Sequence, residues 1–212
     1  MDVIKRIFEN NRAWVRETTA QDPLFFERML GGQSPNFLFI GCSDSRVPAN
    51  VITGTRGGEM FVHRNVANQA IPSDLNMLAV LQYAVEVLKV PHVVVCGHYG
   101  CGGVRAALEL PAGNHDLVDQ WLGHIRQVRM RNLEELAPLP VEAQARRLVE
   151  LNVIEQVQNL AMTAPIQAAR SRGQEVHLWG WVYNIGDGLL HTLDVDTTAT
   201  VPEIARVEVP VA

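Results

Sequence analysis

The run His92-Val-Val-Val-Cys-Gly97 limits this chain more than any other stretch. A strand with one wet face alternates apolar and polar residues, and this run does not. It reads as a strand buried on both faces, central in a mainly parallel sheet. Parallel neighbours need crossover connections, and helical patterns lie between the apolar runs. "QSPNFLFIGCSDS" reads as a turn, a short buried strand and a polar loop, and "GEMFVHRNVAN" as a second strand. "SDLNMLAVLQYAVEVLKV" reads as a helix with Ser73 as N-cap and Pro91 as its stop. Further helical patterns cover 103–110, 116–131 and 141–162, with "APLP" dividing the last two. "EVHLWGWVYNI" and "LLHTLDV" read as two strands joined by the turn "GDG". The expected fold is α/β, a central and mainly parallel β-sheet flanked by helices.

Ahead of this domain, Ile4, Ile7, Phe8, Trp14 and Val15 recur near helical spacing. Residues 1–34 therefore read as a helical arm whose apolar stripe must cover its own core or a partner subunit. Residues 35–212 form the α/β domain, with 47% of the 212-residue chain apolar and 19% charged. A net charge of −5 offers no basic footprint for nucleic acid or an anionic membrane. No stretch supplies the roughly 20 apolar residues of a membrane span, and the first residues lack a signal-peptide core. Three cysteines, Cys42, Cys96 and Cys101, are no disulfide framework for a domain of this size. A soluble protein of a reducing cytoplasm is expected.

Both polar loops, "CSDSR" and "GHYGCGG", follow the carboxyl ends of buried strands, where α/β sheets place their sites. A dinucleotide loop needs G-x-G-x-x-G, and Gly100, Gly102 and Gly103 do not fit that spacing. No phosphate-binding G-x-x-x-x-G-K-[ST] occurs either. His98-x-x-Cys101 instead puts an imidazole and a thiol within one turn. Cys42 and Asp44 share one face of an extended backbone at the first strand's end. Together they offer a Cys₂HisAsp set, whose thiolates favour zinc over magnesium or calcium. The alternative stays open, since cysteine is often a small core hydrophobe. Cys96 reads that way beside Val93–Val95. His63, His92, His115, His124, His177 and His191 sit singly and read as structural or surface residues. Without the neighbouring cysteines, Asp44 and Arg46 would read as a loop salt bridge.

Taken in order, "CSDSR", "FVHRNVAN", "LQYAV", "GHYGCGG" and "LNVIEQVQNL" give a chain that resembles the β-class carbonic anhydrases. The resemblance runs from about Gln33 to "GWVYNIGDGLL". It implies a zinc enzyme, one Zn(2+) per chain, interconverting CO₂ and bicarbonate, with N-terminal helices that wrap a partner in a homodimer that often pairs into a homotetramer. Carried over by motif, Cys42, His98 and Cys101 are the ligands. Asp44 is the fourth ligand or the catalytic carboxylate, and Arg46 is its partner. The family's nucleophile is zinc hydroxide, oriented and gated by that pair. Two thiolates and a neutral imidazole cancel the zinc charge and leave a poorer Lewis acid than three histidines do. An Arg46 fork on Asp44 would hold the carboxylate off the metal. The same resemblance implies a substrate pocket of Gln33 (from the partner subunit), Phe61, Tyr83 and Gly102. Phe61 and Tyr83 also read as plain core. Some members bind a regulatory bicarbonate, and the matching positions here are Phe39, where they carry tryptophan, Arg64 and Tyr183. Two other functions compete with the enzyme: a zinc-stabilised scaffold, and a CO₂- or bicarbonate-responsive binding protein.

Overall fold

The computed structural model describes residues 2–109 and 116–198, so His115 and the last position of the helix expected over 103–110 lie outside the described residues. The chain divides into two compact units, Met1–Ser34 and Pro35–Ala212. In the first, α1 (Val3–Gln21) is capped by the Asp2 carboxylate, which accepts from the Ile4 N–H, and α2 (Phe25–Leu30) follows. The Trp14 ring meets Phe25 and Phe26 edge-on. The α1 stripe of Val3, Ile4, Ile7 and Phe8 stays exposed in the single chain.

The second unit holds β1 (Phe37–Cys42), α3 (Ala49–Thr53), β2 (Met60–Asn65), α4 (Leu75–Gln82), β3 (His92–His98), α5 (Gly102–Leu108), α6 (Leu117–Arg131), α7 (Leu133–Leu136), α8 (Val141–Ala161), α9 (Ala164–Ser171), β4 (His177–Asn184) and β5 (Leu189–Leu193). The five strands run in the order β2-β1-β3-β4-β5. The unbroken apolar run thus occupies the centre, parallel to β1 and β4, while β5 closes one edge antiparallel to β4. Burial on both faces explains why its sequence does not alternate. Leu38, Ile40, Val93, Val95 and Val182 point into the main core, and α8 packs on β3 and β4. Phe39, Val94 and Cys96 form a smaller cluster on the opposite face, covered by Ala49 of α3.

Both boundaries of α4 differ from the sequence expectation, and α5 stops at Leu108 with Glu109 already extended. Asp74, not Ser73, caps α4, because its carboxylate reaches the Asn76 N–H at 3.0 Å. The helix also ends before Pro91. Its last turn widens over Tyr83–Val87, where the Leu88 N–H reaches back five residues to the Tyr83 carbonyl. Lys89 then takes a left-handed φ of 57° and breaks the ladder. The short helices α3, α7 and α9 carry too few residues to show a clear apolar period and lie outside the helical patterns read from the sequence, whereas α2 falls within the expected helical arm. Among the described residues no helix is long and apolar enough to cross a membrane.

Close packing of α8 on the central strand depends on Gly97. A Cβ there would meet Val153 Cγ2 at 2.6 Å and Val149 Cγ1 at 3.3 Å. Gly97→Ala should cost about 1–3 kcal/mol of stability, the usual penalty for overpacking a filled core. Urea unfolding monitored by tryptophan fluorescence checks this, and an unchanged midpoint would contradict the packing.

Candidate metal centre

Parallel pairing of β1 with β3 brings the two polar loops out side by side, at the strands' carboxyl ends. Gly41 lies opposite Cys96, so Cys42 and the residues after Gly97 leave the sheet together. Cys42, His98 and Cys101 converge there, each buried, with their ligand atoms all within 4.8 Å of one another. The two sulfurs stand 3.9 Å apart. Two thiolates about 2.3 Å from a tetrahedral zinc would stand about 3.8 Å apart. The donors are spaced for that ion.

His98 has its proton placed for the task. Its Nδ1 lies 3.1 Å from the Tyr99 carbonyl oxygen, which can only accept, so Nδ1 carries the hydrogen. Nε2 is left with a free lone pair, and it is buried without a hydrogen-bond partner. An orphaned imidazole nitrogen facing two thiols is the chemistry of a Cys₂His metal site. The hydrogen bond from Cys101 holds the Cys42 thiol well below its ordinary pKa. Cys101 is pushed up, because it gives that hydrogen bond and because burial and the neighbouring thiolate disfavour a second negative charge. Nearby backbone amides favour the thiolate forms: those of Asp44 and Ala67 help lower the Cys42 thiol, and those of Gly103 and Val104 oppose the rise of Cys101.

Asp44 reaches the same place by a route the spacing did not reveal. β1 ends at Cys42, and Asp44 opens a turn closed by the Val47 N–H on its carbonyl. Its carboxylate nevertheless comes within 3.7 Å of His98 Nε2. Arg46 grips it with Nε at 2.9 Å and Nη2 at 2.7 Å, and the Arg46 backbone N–H adds a third bond at 2.9 Å. These bonds keep the Asp44 carboxyl far below the usual carboxylate range.

The three glycines of the loop do separate work. Gly100 takes φ +72°, a left-handed turn between His98 and Cys101. Gly102 opens α5 with free space where a side chain would stand, whereas Gly103 packs against Val66, Ala67 and Leu122. Phe61 and Tyr83 stack with ring centroids 5.7 Å apart, and Tyr83 is half-exposed. Gln33 is exposed in the N-terminal unit. Phe39 is wholly buried in the cluster that Tyr183 packs against. Arg64 does something its motif does not announce: Nε donates to the Cys42 carbonyl at 2.8 Å and Nη2 to the Asp44 carbonyl at 2.6 Å. Cys96 belongs to the other face of the sheet, and burial pushes its thiol up to about 12.

A family model described as carbonic anhydrase matches residues 37–190. A carbonic anhydrase of Emericella nidulans is 45% identical over 95% of this chain and 88% of its own length. One from Saccharomyces cerevisiae is 34% identical, covering 93% of this chain and 91% of that protein. Among solved structures, a Coccomyxa β-carbonic anhydrase in complex with acetazolamide superposes with a TM-score of 0.88 at 38% identity, over 91% of this chain and 87% of that one. A tetrameric β-carbonic anhydrase of Sordaria macrospora gives 0.85 at 38% identity, over 91% and 98%.

The thiols should separate by chemistry. In metal-stripped folded protein at neutral pH, iodoacetamide should label Cys42 first and leave Cys96 untouched until unfolding. Added zinc should protect Cys42. Peptide mass spectrometry checks the order, and labelling of Cys96 ahead of Cys42 would contradict this account.

Proposed function

From a chain that belongs to the β-class carbonic anhydrase family, we propose a zinc enzyme that reversibly hydrates CO₂ to bicarbonate and a proton. The observation that carries this reading is the Cys₂His donor set beside a carboxylate held by an arginine fork. Cys42, His98 and Cys101 hold the ion, and their spacing and the orphaned His98 Nε2 fit zinc. Zinc, when bound, supplies the Lewis acidity that lets water deliver hydroxide to CO₂ near neutral pH.

The remaining chemistry belongs to the chain. Asp44 stays ionised throughout the working range, so it can accept a hydrogen bond from the attacking oxygen and aim it. Arg46 holds the carboxylate in that role and away from the fourth coordination position, which Asp44 would otherwise claim. A closed scaffold needs no such device, and that favours the enzyme over a structural zinc site. Phe61 and Tyr83 form an apolar wall for CO₂, and the open space at Gly102 leaves room for the product anion beside amides of α5. Gln33 enters from a partner subunit in a homodimer or homotetramer, an assembly for which the exposed apolar stripe of α1 is the support on this chain. Free thiols at the site suit a reducing cytoplasm.

Regulatory bicarbonate at Phe39, Arg64 and Tyr183 is proposed as weak. Phenylalanine offers no indole N–H, and two donors of Arg64 already serve the Cys42 and Asp44 carbonyls. The hydrogen bond missing at Phe39 corresponds to about 1.5–3 kcal/mol for a charged partner. A folded Phe39→Trp variant should be inhibited by bicarbonate at lower concentration than the parent at matched pH. Equal inhibition constants would remove Phe39 from anion binding.

Stopped-flow CO₂ hydration with zinc analysis tests the main reading. One zinc per chain is expected, lost with Cys42→Ala, His98→Ala or Cys101→Ala and kept with Cys96→Ala. Asp44→Asn and Arg46→Ala should each reduce the rate by at least about 100-fold, the lower end for a positioned proton-transfer group. Zinc should be retained in the Arg46 variant. The parent's rate should rise toward alkaline pH. Because Arg46 keeps Asp44 ionised from acid pH upward, its protonation cannot produce that rise; ionisation of the attacking water, beside an ion that two thiolates would leave a weak Lewis acid, would. A pH-independent rate, or near-parental rates in both variants, would sink this mechanism.

A further inference from the structure

The segment after β2 takes a conformation its residues do not favour. Ala67 has φ 62° and ψ 32°, and Asn68 has φ 49°, both left-handed without glycine. Such a residue costs on the order of 1 kcal/mol and persists only when its surroundings enforce it. Asn65 brackets the turn locally, its side chain donating to the Gln69 carbonyl and accepting the Gln69 N–H at 2.7 Å each, and a buried polar relay from α8 braces it from outside. The Ala70 N–H donates to Gln156 Oε1 at 2.8 Å, Gln156 Nε2 donates to Asn152 Oδ1 at 3.0 Å, and Asn152 Nδ2 donates to the Ala67 carbonyl at 3.0 Å. A backbone N–H at one end can only donate, and a carbonyl at the other can only accept. The direction of both amides is therefore fixed. Asn152 and Gln156, four residues apart on one helix face, are each about 1% exposed. Trp121 adds a bond from Nε1 to the Val66 carbonyl at 2.8 Å.

The strapped segment lies against the metal centre. The Asn65 carbonyl accepts the Ser43 N–H at 2.9 Å, between Cys42 and Asp44, and the Ala67 methyl lies against Gly103 beside Cys101, 3.3 Å from where a Cβ on that glycine would stand. Reversing Ala67 to an ordinary right-handed φ would redirect the backbone between Asn65 and Ala70 and shift both contacts. Such polar side chains deep in a helix face do no packing that leucine would not do better.

We propose that Asn152 and Gln156 are positioning residues for the metal centre, holding Ala67 left-handed so that the 65–70 backbone keeps its place against the Cys42–Ser43 strand end and against Gly103 beside Cys101. They touch neither substrate nor metal and act through the 65–70 backbone. The inference rests on the reading above that Cys42 is a zinc ligand, and it adds a remote set of residues on which ligand geometry depends.

The test uses the full-length protein and the variant Asn152→Asp, which still accepts from Gln156 but can no longer donate to the Ala67 carbonyl. Zinc affinity is measured by competition with a chromophoric chelator, and cobalt(II) replaces zinc to report thiolate ligation through its sulfur-to-metal charge-transfer band. Affinity should fall 10–100-fold, the usual effect of losing support behind a metal ligand, and the cobalt band should shift. Adding Ala67→Gly should restore most of the affinity, since glycine adopts the left-handed turn without being held. A purely structural role would lower the melting temperature of the metal-free protein and leave the cobalt band in place. Should Asn152→Asp not fold, Gln156→Met carries the same expectations. Parental affinity and band in a folded single variant, or no recovery in the double variant, overturns the proposal. Wild type and Cys42→Ala run alongside: if they bind zinc equally, the ligand assignment itself has failed. If only wild type binds and Asn152→Asp matches it, this inference alone has failed.

Discussion

Everything at the metal centre hangs on the parallel pairing of β1 with β3. Parallel strands point the same way, so both polar loops emerge at one end of the sheet, next to each other. β2 adds a third strand in the same direction, with Asn65 opposite Cys42. Ligand, carboxylate and backbone support therefore come from adjacent strand ends rather than from one continuous loop. An antiparallel partner in place of β3 would have sent His98 to the far edge of the sheet.

Charge within this corner is apportioned by geometry. Asp44 has two arginines near it, and they do different things. Arg46 takes the carboxylate itself and is more than half exposed, so its hold can be exchanged for water or metal. Arg64 takes main-chain carbonyls on both sides of Ser43 and fixes the path of the loop instead. One cation serves a movable contact and the other a static one. The Tyr99 carbonyl takes the Nδ1 hydrogen of His98 and so aims the other ring nitrogen at the thiols.

The sheet and the donor residues were legible in the sequence because their signals are local. The apolar runs at Phe37–Cys42 and His92–His98 declare buried strands, and H-x-x-C after the second declares a metal-binding turn. What stayed hidden depends on contacts far along the chain. Ser73 and Asp74 both make good caps, and only the backbone angle at the helix start selects Asp74. The left-handed Ala67 has no glycine to announce it. Asn152 and Gln156 lie in the motif LNVIEQVQNL, but their residue types do not announce burial; they are interior because α8 is pressed on two strands. Arg64 sits in a recognisable motif, yet its partners are carbonyls, which no residue type reveals.

Cys42 and Cys101 lie 59 positions apart, so their meeting closes a long loop of chain. Closing a flexible loop of that length costs roughly 4 kcal/mol in chain entropy. In a zinc finger the ion itself must supply that closure, and removing it unfolds the domain. Here the hydrogen-bonded ladder between β1 and β3 has already brought the ends together, together with the apolar surface buried on both faces. The entropy is borne by folding, and the thiols and imidazole wait in place. A chelator should therefore extract the ion from a protein that remains folded, with its corner intact for refilling.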